Sequence, residues 1–134
     1  MLDPHGALIC TMVMMSAADR DITDSELAMI GDIVGHLPVF RAFHRDNLPA
    51  VLNECTRLLD RENGLDEAFA AIKKALPVNL RETAYAVACD VAAADGEASQ
   101  EELRILEMMR HRLDIDRLIA AGIERGARAR FQTL

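Results

Sequence analysis

Two stretches of this chain are written to the same pattern. "SAADRDITDSEL" (16–27) and "AAADGEASQEEL" (92–103) each stop an apolar run at a cluster of acids and then start another apolar run. Ala17, Ala18, Asp19, Thr23, Glu26, Leu27 and Leu37 recur 76 residues later as Ala93, Ala94, Asp95, Ser99, Glu102, Leu103 and Leu113. The correspondence covers the end of one helix, the length of a loop and the stripe of the next helix. It therefore describes a duplicated helical hairpin. Two copies are too few for a solenoid. Pseudo-twofold packing follows, with helices one and five at the centre, where their small residues let the backbones approach closely.

The rest of the chain reads as helix throughout, with no stretch of strand alternation. Asp3 caps helix one with Pro4 at its first position; the helix runs to about Asp19 and is apolar on nearly every face, the mark of a central element. Thr23-Asp24-Ser25-Glu26 is a capping box opening helix two, whose buried stripe is Leu27, Ile30, Ile33, Val34 and Leu37, and Pro38 ends it. Phe40 and Phe43 sit on a short turn. Asn47 caps helix three, which reaches about Asp60, and Gly64 breaks the chain before helix four, Leu65 to Leu76. Asn79 caps helix five, which extends to about Asp95. Ser99 opens helix six with a second capping box, and Asp114 or Asp116 caps helix seven, which fades near Arg128. The expected architecture is an all-α bundle of about seven helices, one domain over residues 1–134.

Composition supports this and narrows function. Half the residues are hydrophobic but only 4% are aromatic and none is Trp, so Ala, Leu, Ile, Val and Met build the core, and these favour helix over sheet. A net charge of −7 argues against nucleic acid, whose binders present basic faces. Cys10, Cys55 and Cys89 are odd in number and far apart, which suits reduced, buried thiols in a cytoplasmic protein. The uncharged run from Ala7 to Ala18, about twelve residues, is too short to span a bilayer.

The two acid-rich segments resemble those of the TerB family, the tellurite-resistance protein B-like domains. The likeness runs from about Leu8 to Arg128, and the Ala-Asp-Gly-Glu core of the second copy, Ala94 to Glu97, is its most specific part. The first copy departs there, with Arg20 where the second has Gly96. The resemblance implies a compact all-α protein connected with tellurite resistance and stress responses. It also implies acidic residues proposed to bind metal, and a relative that precedes the chaperone domain in some membrane-anchored co-chaperones.

The acids support two readings. Asp19, Asp21 and Glu26 in one copy, and Asp95, Glu97 and Glu102 in the other, offer hard oxygen ligands suited to Ca²⁺ or Mg²⁺. Asp90 joins them because it lies inside an apolar helix, where an unpaired carboxylate is costly. An EF-hand is excluded. With Asp19 or Asp95 at the first loop position, the glycine position holds Asp24 or Gln100 and the final glutamate position holds Ile30 or Leu106. In the second reading Glu26 and Glu102 complete capping boxes, Asp24 and Glu101 favour a helix N-terminus, Asp19 and Asp95 close turns, and Asp90 pairs with Arg81 or an arginine of helix six.

Other candidates have simpler roles. Met12, Met14 and Met15 suit soft metals but fill core gaps more readily. Cys10 and Cys89, on the two central helices, are placed to approach each other. His36, His44 and His111 lack metal-site spacing and belong at the surface or an interface. "RGARARF" (125–131) offers an arginine-rich end for an acidic partner or membrane face, but complementing the helix dipole suffices to explain it. No phosphate loop or nucleophile elbow is present. Tellurite is an anion, so acidic corners do not suit its direct capture. The expected function is a small non-enzymatic stress-response module that binds protein partners, with a divalent cation, Ca²⁺ or Mg²⁺, at the corners. The alternative is a protein–protein adaptor whose corners act only as caps. A homodimer is compatible with either.

Overall fold

The computed structural model describes residues 2–18, 22–94, 96 and 98–134. Among these, seven α-helices and no strand are found: α1 (Pro4–Ala17), α2 (Asp24–His36), α3 (Leu48–Leu59), α4 (Gly64–Ala75), α5 (Arg81–Ala93), α6 (Gln100–Arg112) and α7 (Arg117–Arg130). Short 3₁₀ turns at Pro38–Phe40, Arg45–Asn47 and Val78–Leu80 join some of them.

The repeat is visible in the bounds themselves. α2 and α6 begin at 24 and 100 and end at 36 and 112, so both ends are 76 apart. α1 and α5 end at 17 and 93, the same separation. The two central helices pack on each other more extensively than any other pair, and α2 and α6 each lean on both of them. α1 is buried on every face from Gly6 to Ser16, as its unbroken apolar run requires. Of its two buried hydroxyls, Thr11 donates to the Leu8 carbonyl at 2.7 Å. α5 places Ala84 and Ala88 where α1 has Leu8 and Met12, all fully buried. At these two repeat positions the first copy buries a large side chain and the second an alanine.

Several boundaries differ from the sequence reading. Gly64 starts α4 instead of preceding it, and a Cβ there would lie 2.2 Å from the Leu59 carbonyl oxygen. Glycine therefore allows α4 to turn back tightly against the end of α3. Asn79 falls within a 3₁₀ turn and α5 begins at Arg81 with no side-chain cap; Asn47 likewise makes no capping bond to α3. α7 is capped by Asp116, whose carboxylate accepts from the Leu118 and Ile119 amides at 3.1 and 3.3 Å. Asp114 takes a different place, with φ of 54° just beyond α6. Its carboxylate accepts from Lys73 at 3.0 Å, and that bond holds its pKa below the usual carboxylate value. Leu27, expected in the stripe of α2, is exposed, as is its repeat partner Leu103.

His5 closes the N-terminal end. It stacks on Phe40 at 5.6 Å, meets Phe43 edge-on at 5.4 Å, and its Nε2 donates to the Val39 carbonyl at 2.8 Å. Nothing in the spacing of a lone histidine and two phenylalanines 35 or more residues on marked this cluster. Elsewhere Arg112 lies over the Phe69 ring at 5.2 Å and pairs with Asp66 at 3.0 Å, tying α6 to α4.

Candidate functional site

The two corners are built by the same pair of reciprocal bonds. In the first, the Glu26 amide donates to Thr23 Oγ1 at 3.1 Å and the Thr23 amide donates to Glu26 Oε1 at 3.0 Å. In the second, the Glu102 amide donates to Ser99 Oγ at 3.1 Å and the Ser99 amide donates to Glu102 Oε1 at 2.9 Å. Each box satisfies two amides that a helix start would leave without partners. Glu26 and Glu102 are only 4% and 6% exposed. Burial of a carboxylate is tolerated there because backbone N–H groups meet it at the positive end of a helix.

The structure separates the remaining site candidates. Asp90 sits on α5 with its side chain about 20% exposed, and it pairs with Arg130 of α7. The sequence expectation of Arg81 or an arginine from α6 is corrected: α7 crosses the end of α5 and brings Arg130 there, while Arg81 lies beside Asp114 at 3.8 Å. The repeat partner of Asp90 is Met14, which is buried, so this acid has no twin in the first copy. Asp19, Asp21, Asp95 and Glu97 lie outside the described residues. Among the described residues, no group of three or more His, Cys, Asp and Glu side chains is placed to hold a metal ion. Glu26, Glu102 and Asp90 therefore do not make a ligand set by themselves.

The thiols are arranged differently from the expected Cys10–Cys89 approach. Cys10 of α1 hydrogen-bonds Cys55 of α3, and that contact, followed by burial, pushes its thiol far above the ordinary range. Cys89 is pushed up to about 12, first by burial and then by the carboxylates of Glu124 and Asp90. Such thiols stay protonated and are poor nucleophiles. His36, His44 and His111 are exposed, as the sequence suggested.

Beside each corner lies a concavity. The first, about 490 Å³, is lined by Val13, Ala17, Ile22, Thr56, Leu59 and Leu65 among others. The second, about 440 Å³, is lined by Cys89, Ala93, Ala98, Leu103, Ala127 and Gln132 among others. Val13, Ala17 and Ile22 are repeat partners of Cys89, Ala93 and Ala98, so the hairpin side of both hollows is duplicated while α3 and α4 wall the first and α7 the second. Periodicity does not reveal them, because it marks which residues face inward and not where two helices diverge.

The TerB family model, described as tellurite resistance protein TerB, matches residues 5–122. The chain belongs to the TerB family. The match spans both hairpins and stops within α7. No curated protein and no solved structure matches the chain significantly. Among the described residues of this TerB-family chain, no helix is long and apolar enough to cross a membrane.

Proposed function

We propose that this TerB-family chain is a non-enzymatic module of a stress response, and that it works as a protein–protein adaptor whose acidic corners serve the fold as helix caps. The observation that carries this reading is the reciprocal bonding of Glu26 with Thr23 and of Glu102 with Ser99. The corner acids that the structure describes have a structural task at both sites, and the same task.

A divalent cation, Ca²⁺ or Mg²⁺, is the second reading. It is favoured by the recurrence of acids that capping does not require, Asp19 and Asp21 in one copy and Asp95 and Glu97 in the other. Melting the wild type and an Asp19→Asn/Asp95→Asn variant, each with and without millimolar Ca²⁺ or Mg²⁺, separates the two. A cation at a hundred times its Kd would add about 2.7 kcal/mol, which is several degrees in Tm for a domain of this size. The adaptor reading expects unchanged melting with cation in both proteins. A rise in the wild type that the variant loses would replace it with the cation reading.

A further inference from the structure

α6 and α7 both pack on α5 but barely on each other, and the space between them is a groove. Its floor is one stripe of α5: Tyr85, Cys89 and Ala92, buried and spaced at helical intervals. One wall is a stripe of α6: Leu103, Leu106, Glu107 and Arg110. The other is a stripe of α7: Arg117, Ala121, Glu124, Ala127, Arg128 and Phe131. The hollow beside the second corner and a further one of about 360 Å³ share Leu103, Leu106 and Glu124, so they form one continuous depression. Along α7 from Arg117 to Phe131 it runs roughly 20 Å, the length of about four helical turns.

Charge indicates what fits. Residues 1–99 hold eight Lys and Arg against sixteen Asp and Glu, whereas residues 100–134 hold seven arginines against six acids. Four of those six acids stand at helix ends: Glu101 and Glu102 in the first turn of α6, Asp114 bonded to Lys73, and Asp116 capping α7. The other two, Glu107 and Glu124, line the groove together with Tyr85. Arg112 and Arg130 are held by Asp66 and Asp90, while Arg117 and Arg128 have no carboxylate partner among the described residues and stand exposed at opposite ends of the groove. An acidic molecule thus carries an apolar-floored groove with Arg117 exposed at one end and Arg128 exposed at the other, where the groove meets the second corner. Leu103, 46% exposed, sits on its rim.

We infer that the α6–α7 groove docks an amphipathic helix of a partner protein, its apolar stripe on Leu103, Leu106 and Ala127 and its flanking carboxylates toward Arg117 and Arg128. This is recognition by helix-in-groove packing with charge setting orientation. The inference rests on the adaptor reading and names its surface.

The test uses the full chain and a labelled synthetic helix about as long as α7, with a leucine stripe flanked by glutamates, read by fluorescence anisotropy. Saturable binding is expected. Leu103→Glu should weaken it at least about tenfold, or 1.4 kcal/mol. Ala121→Glu, at an exposed wall position where folding is not at risk, should weaken it too. Replacing the peptide's glutamates with lysines should cost a similar factor. Leu27→Glu, the repeat partner of Leu103 on the opposite hairpin, should leave binding unchanged. The inference is overturned by absence of saturable binding, by equal binding of the lysine-flanked helix, or by equal effects of Leu27→Glu and Leu103→Glu. It is also overturned if the arginine face instead binds phosphatidylglycerol vesicles, or closes on a second copy of the chain, while ignoring the peptide. Any of these would leave the adaptor reading standing, since that depends on the melting experiment with Ca²⁺ and Mg²⁺.

Discussion

In the first hairpin the inner helix α1 is covered by α3 and α4 on the side away from α5, and all of its middle residues are buried. In the second hairpin the inner helix α5 packs chiefly on α1 and α7, and α6 and α7 leave a groove above it. The outer helices α2 and α6 have bounds 76 residues apart and the same capping bonds. What differs is the wrapping. The capping boxes are the part of the duplication that stayed alike, and the helices packed around the hairpins are the part that did not.

The largest effect should come from the traded volumes on the central helices. Leu8→Ala removes a fully buried side chain and should lower stability in urea by about 2–5 kcal/mol. Ala84→Leu, at the repeat position, should cost about 1–3 kcal/mol through overpacking. If both substitutions proved neutral, the two inner helices would not form the tightly packed centre described. Next come the caps. Thr23→Ala and Ser99→Ala should each cost about 1 kcal/mol, and the two costs should agree. A clear loss at one and none at the other would break the equivalence of the corners.

Smaller effects sharpen the differences. Asp90→Asn removes the pair with Arg130, whose side chains are 20% and 56% exposed. Such a pair should contribute less than about 1 kcal/mol, and added salt should shrink the difference. A loss well above that would mean Asp90 has a further role. Ser16, buried with no hydrogen-bond partner for its hydroxyl among the described residues, has Ala92 as its repeat partner. Ser16→Ala should therefore raise the melting temperature slightly, by up to about 1 kcal/mol of stability. A drop would show that the hydroxyl is satisfied in solution.

The fold was legible in the sequence because its signals are local. Capping boxes at Thr23 and Ser99, Asp3 with Pro4, and the unbroken apolar run of α1 each fix a helix end or its burial without reference to the rest of the chain. The repeat then specified the pairing of α1 with α5. The errors came where tertiary partners decide. Asp90 meets Arg130 forty residues on, Cys10 meets Cys55 on α3, and Leu27 and Leu103 stay exposed although they continue an apolar stripe. The candidate site was legible only in part: the acids were recognised, and the capping role of Glu26 and Glu102 was among the readings. The groove was not, because its walls become neighbours only through the angle at which α6 and α7 cross α5.

The central claim is that the corners cap helices while the α6–α7 face recognises a partner. Amide NMR spectra of one ¹⁵N-labelled sample test both halves, with Ca²⁺, then Mg²⁺, then the glutamate-flanked helix added in turn. The account predicts no saturable shifts at Ala18, Ile22, Gly96 or Ala98 with either cation, and saturable shifts at Leu103, Ala121 and Ala127 with the helix. Saturable cation shifts at the corners, with an unmoved groove, would contradict it.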